Sequence, residues 1–96
     1  MKNALIYHRS KKYETNEDSI TYVKNLIKQL KQHYVIRGVF VDSYNDRSEF
    51  YNLINGSLGS IDVVFINNSL IDEFDRKLLD ELARAEGIIF DSRNQN

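Results

Sequence analysis

A chain of 96 residues, 42% hydrophobic and 28% charged, has the size and make-up of one soluble domain with a single core. Its formal net charge of -1 argues against a strongly basic nucleic-acid module, and the absence of cysteine excludes disulfides, thiol nucleophiles and thiolate metal sites. The two histidines, His8 and His33, lack ligand spacing, and no apolar run approaches the roughly 20 residues that span a bilayer, so the sequence implies no metal, no cofactor and no membrane partner, and the cytoplasm is the expected location.

The first β-rich run, Ala4–His8, passes directly into a basic, hydroxyl-bearing end of Arg9, Ser10, Lys11 and Lys12. Thr15 or Asn16 then caps a helix reaching Tyr34, with Glu17 and Asp18 in the first turn, where acids suit the helix dipole. Ile20, Val23, Ile27, Leu30 and Tyr34 form its apolar stripe, with Leu26 beside it and Lys24, Lys28 and Lys31 mostly opposite. The second strand is Val35–Asp42. A shorter helix from Arg47 to Leu58 follows, turning Phe50, Leu53 and Ile54 inward. The third strand is Ile61–Asn67. Ser69 is the expected cap of a third helix striped by Phe74, Leu78, Leu79 and Leu82, and Gly87 ends it. Gly87–Asp91 is the fourth strand. Strands two to four read as continuous apolar runs, the pattern of a sheet covered on both faces.

Strict alternation of strand and helix predicts an α/β fold: a small three-layer domain, residues 1–91, around a mainly parallel four-stranded sheet with helices on both faces. Residues 92–96 read as a polar tail. In such folds the functional crevice lies beyond the carboxyl ends of the strands. Those ends carry His8 to Lys12, Asp42 to Arg47, and Asn67 to Ser69.

The motif "ALIYHRS" resembles the first strand of the serine recombinase (resolvase/invertase) N-terminal catalytic domain, whose pattern is Tyr-x-Arg-x-Ser. "VFVD" before "NDRSEFYNLING" is similar to the family's second strand, its acidic residue, and an Asp-Arg pair opening the next helix. "GSIDVVFI" is similar to the third strand, and "LLDELARAEGIIF" to the following helix and fourth strand. The resemblance covers nearly the whole chain in order. It implies a resolvase-like fold in which Tyr7 with Arg9, and Asp46 with Arg47, occupy matching positions.

The family's chemistry, a serine attacking a DNA phosphate whose charge arginines neutralise, matches only in part. The nucleophile position two residues after the arginine is Lys11. Side chains alternate along a strand, so Tyr7, Arg9 and Lys11 share one face while His8 and Ser10 share the other. Where the family carries an arginine clamp this chain has "NNSLIDEFDR", with Asp72, Glu73 and Asp75 opposing a phosphate. The sequence ends before the long helix through which the family dimerises and before any DNA-reading domain.

The resemblance therefore implies a degenerate, truncated relative with no catalytic residues, acting as a regulatory or protein-interaction module on a DNA recombinase or another DNA-processing partner from a phage or mobile element. The expected remnant phosphate or ligand site comprises Tyr7, Arg9, Ser10, Lys11, Asp42 and Arg47; the competing assignment for the two arginines is a brace to Asp42 or Asp46. Tyr13, Tyr44 and Tyr51, near the same mouth, are the expected interaction surface, with packing over helix ends as their alternative role. The enzyme reading is small phosphate or nucleotide handling at the Arg9–Arg47 crevice. Weak DNA binding through Lys11, Lys12, Lys24, Lys28 and Lys31 is a third. The expected oligomeric state is a monomer or weak homodimer.

Overall fold

The computed structural model describes residues 1–56, 58–67 and 72–93. Its elements are β1 (Lys2–Arg9), α1 (Asn16–Leu30), β2 (Tyr34–Asp42), α2 (Ser48–Asn55), β3 (Val63–Asn67), α3 (Glu73–Glu86) and β4 (Ile89–Arg93). All pairings are parallel and the strand order is β2-β1-β3-β4. The chain thus builds outward from β1 in one direction through α1, then returns past β1 to add β3 and β4. The reversal falls between β1 and β3, which is the switch point where α/β sheets place their crevices. The expected α/β fold is present.

Two apolar clusters fill the faces. Leu5, Tyr7, Val64 and Ile66 pack with Phe50 and Leu53 of α2 and Leu79 of α3. On the other face Ala4, Ile6, Val63 and Phe65 pack with Leu26 and Leu30 of α1. A single helix therefore covers one side of the four strands and two helices cover the other.

The elements differ from the sequence reading in instructive ways. α1 ends at Leu30, and Tyr34 belongs to β2, where its ring meets Phe65 edge-on with centroids 5.1 Å apart. The buried stripe of α1 is Ser19, Val23, Leu26 and Leu30, one position round from the expected one, and Ile20 is exposed. Polar Ser19 points inward because Ser10 waits there as a partner (below). β2 is an edge strand, not one covered on both faces, and Val39 and Val41 remain exposed. A bulge between Ala4 and Leu5 in the β1–β2 register brings Gly38 opposite Leu5, where a Cβ would stand 3.2 Å from a Leu5 methyl.

α2 is shorter than expected, and Leu58 is buried from the loop beyond it. β4 runs on to Arg93, so Ser92 pairs with Ile66 as strand where a tail was expected. The expected cap Ser69 lies outside the described residues. Asp72 caps α3, accepting from the Asp75 backbone N–H at 2.8 Å. Phe74 is exposed and Asp75 is buried in its place. Gly87 does end α3, in the left-handed region (φ 69°) that glycine adopts without a Cβ clash.

Candidate functional site

The C-terminal mouth of β1 sends alternate side chains into two separate polar networks. Tyr7 and Arg9 point toward α2 and α3. The Tyr7 hydroxyl donates to Asp42 Oδ2 at 2.7 Å and accepts from Arg9 Nε at 2.9 Å. Burial, together with the bond to Asp42, raises the Tyr7 hydroxyl above its ordinary value, so it stays a proton donor. Asp42 also accepts from the backbone N–H groups of Glu49 and Phe50, both at 2.9 Å. A carboxylate at the end of one strand thus satisfies the first turn of α2, whose own N-cap residue Arg47 makes no side-chain cap bond. The Arg9 guanidinium carbon lies 5.6 Å from the Tyr7 ring centroid and 5.7 Å from that of Phe50.

Arg47 sits at the entrance to α2, half-buried, with its guanidinium carbon 5.2 Å from the Tyr51 ring. It forms an ion pair through Nη2 with Oδ1 of the buried Asp75. The anticipated brace for the arginines was Asp42 or Asp46. Arg47 instead meets Asp75, while Arg9 reaches Asp42 through Tyr7. Asp46 turns to Ser48, accepting from its backbone N–H at 2.9 Å and its hydroxyl at 2.6 Å, which holds its carboxyl below the ordinary range. Burial raises the Asp75 carboxyl, against the pull of Arg47. The acidic segment read as hostile to a phosphate therefore does more: it delivers a carboxylate onto the crevice arginine.

Ser10 and His8 face α1. The Ser10 hydroxyl lies 2.7 Å from that of Ser19, which donates to Glu14 Oε2 at 2.5 Å. His8 Nε2 lies 2.6 Å from the same oxygen, and Glu14 Oε1 accepts the Lys11 backbone N–H at 3.1 Å. With its proton on Nε2, the His8 ring donates to Glu14 and leaves Nδ1 as acceptor for the Asn67 amide at 3.4 Å. Burial pushes the Glu14 carboxyl up, but the bonds from Ser19, His8 and Lys11 outweigh it and hold the group below its ordinary 4.5.

A depressed carboxyl supplies stability above its unfolded-state value and loses it as pH falls through the folded-state value. The expected result is that Glu14→Gln removes a stability loss that the wild type shows below about pH 4.5, measured by urea unfolding across that window. A wild-type acid limb unchanged in Glu14→Gln contradicts this.

The six expected site residues thus divide. Tyr7, Arg9, Asp42 and Arg47 form the α2–α3 side, and Ser10 belongs to the α1 side. Lys11 lies beyond the end of β1, half-buried with its backbone N–H tied to Glu14, and lines the α1 side rather than the Tyr7–Arg9 face that strand alternation predicts. Tyr13 is 87% exposed, whereas Tyr44 and Tyr51 are 41% and 44% exposed and Tyr51 packs beside Arg47 at the start of α2. Sequence reasoning missed the roles of Glu14, Ser19, Asn67 and Asp75, because nothing in a linear pattern says which polar residues on different elements meet. Among the described residues no group of three or more His, Asp or Glu could hold a metal ion, and no helix is long and apolar enough to cross a membrane.

No protein-family model and no curated protein matches the chain. Among solved structures, it is similar to the crystal structure of the C-terminal catalytic domain of ISC1926 TnpA, an IS607-like serine recombinase. The identity is 22% and the TM-score 0.64, over 98% of this chain and 71% of the other. The likeness is to a catalytic domain that is C-terminal in its own protein, so it supports a recombinase-related fold but not the N-terminal resolvase domain specifically. The four-stranded parallel sheet, flanked by α1 on one face and by α2 and α3 on the other, is a serine recombinase-like fold.

Proposed function

We propose that this chain is a non-catalytic, recombinase-like module of the cytoplasm that regulates a DNA recombinase or another DNA-processing protein by binding it. One observation carries the reading: the hydroxyl and the guanidiniums that phosphoryl transfer would need lie on opposite faces of β1. Ser10 is bonded into the Ser19–Glu14–His8 network on the α1 side, while Arg9 and Arg47 lie on the other, and Asp75 neutralises Arg47. Nucleophilic attack requires the hydroxyl and the charge-stabilising donors to converge on one reacting atom, which this arrangement opposes. The contact surface is the β2 edge with the residues that follow it. Val39 and Val41 of β2 and Tyr44 just beyond it are exposed, as is Tyr51 on α2, and apolar and aromatic side chains of this kind anchor protein interfaces.

The test is capture by the immobilised chain from source cells, with crosslinking and mass spectrometry, alongside incubation of the chain with supercoiled DNA. One DNA-processing protein recovered in stoichiometric amount, and lost with a Tyr44→Ala, Tyr51→Ala variant, is the expected result. A serine-linked DNA adduct, or no specific partner, overturns it.

A further inference from the structure

On the α1 side, apart from the Arg9–Arg47 crevice, a cavity of about 730 Å³ opens beside the β1–α1 loop. Its volume is in the range of small-molecule sites. One wall is the loop itself, contributing Lys11, Lys12 and Tyr13; the other is α1, contributing Thr21, Tyr22 and Asn25. The Tyr22 ring is backed by the buried His8 ring, with centroids 4.8 Å apart and planes 31° from parallel, so it is held as a platform rather than left to swing. Tyr13 is 87% exposed, and Lys12 Nζ stands 5.6 Å from its ring centroid.

Two carboxylates, Glu14 and Asp18, also line the wall. Glu14 receives Ser19, His8 and the Lys11 N–H, and Asp18 closes the α1 capping box with Thr15. The rest of the lining is two aromatic rings, two ammonium groups, a hydroxyl and an amide. Aromatic platforms beside cations suit a planar base joined to a phosphate, because every base has a stacking face and the phosphate answers the charge.

We propose that this cavity is a binding site for an unpaired nucleotide, free or within a single strand, with the base stacked against Tyr22 and Tyr13 and the phosphate at Lys11 and Lys12. Thr21 and Asn25 meet the base edge. The proposal is independent of the protein-partner reading, since it uses neither the β2 edge nor the arginines.

The test is a ¹H–¹⁵N NMR titration of the whole chain with adenosine monophosphate, adenosine, inorganic phosphate and a short oligothymidylate. Saturable shifts at residues 11–13 and 21–25 with the monophosphate, weaker with adenosine or phosphate alone, are the expected result. Tyr13→Ala and Lys12→Ala, both at exposed positions, each weaken binding, Tyr13→Ala by about tenfold, while Lys77→Ala on α3 leaves it unchanged. Tighter binding of the oligothymidylate identifies the single strand as the source of the nucleotide; equal or weaker binding identifies the free nucleotide. No saturable shift at millimolar monophosphate overturns the site, as do shifts centred on Arg9 and Arg47 or binding unaffected by Tyr13→Ala.

Discussion

Asp42→Ala lowers the free energy of unfolding by about 4 kcal/mol, more than a third of the stability of a small domain. The side chain is buried and accepts three hydrogen bonds, from the Tyr7 hydroxyl and from the Glu49 and Phe50 N–H groups. Bonds to an ionised acceptor are worth about 1.5–3 kcal/mol each, and alanine also leaves a buried hydroxyl and the opening turn of α2 without their acceptor. Tyr7→Phe removes one donor to Asp42 and the acceptor of the Arg9 Nε–H, and costs about 2 kcal/mol. Asp42→Asn falls between them, since its amide turns a donor toward other donors. Thermal melts should show the alanine variant about 20 °C below wild type at this chain length. A loss under 1 kcal/mol for Asp42→Ala would mean that α2 is held by its apolar face alone, and would return Asp42 to the list of groups kept for a ligand.

That contrast bears on how much of the molecule could be read from its sequence. Strand-helix alternation, the inward faces of Phe50 and Leu53, and the glycine stop at Gly87 follow local rules of period and cap, and these were legible. The register of α1 was not. A stripe drawn through Ile20 is more apolar than one drawn through Ser19, and the second is buried, with Ser19 meeting its tertiary partner Ser10 at 2.7 Å. The same holds for α3. Phe74 is the stronger apolar signal, yet Asp75 is buried because Arg47 approaches from another element. At the candidate site, the residues of the β1 mouth were identified, and the division of Tyr7 and Arg9 from His8 and Ser10 follows from strand alternation; Lys11 escapes that rule because the strand ends at Arg9. Their partners Glu14, Asn67 and Asp75 depend on loop paths and helix phase that no local pattern specifies.

Arg47→Ala costs about 3 kcal/mol at neutral pH, whereas Asp75→Asn is close to neutral. The pair is asymmetric: the Asp75 side chain is 1% exposed and that of Arg47 is 34% exposed. Removing the arginine strands a buried carboxylate, while removing the carboxylate's charge leaves an arginine that water can reach and an amide oxygen that still accepts from it. One oxygen of Asp75, Oδ2, and the Arg47 Nε are buried without a hydrogen-bond partner, so the contact uses only half of each group's two-pronged geometry and repays little of its desolvation. Burial already raises the Asp75 carboxyl, so the folded state binds this proton more tightly than the unfolded chain does. Stability from this group is therefore greatest below its unfolded-state value and is lost as pH rises through the higher folded-state value. Arg47→Ala raises the carboxyl further, and the cost of the substitution should shrink as the pH is lowered and Asp75 takes up its proton. Urea unfolding of wild type, Arg47→Ala, Asp75→Asn and the double variant at neutral and acid pH closes the cycle. If Arg47→Ala cost the same at both pH values, or no more than Asp75→Asn, the arginine would not be neutralising Asp75 and would again be available to an external anion.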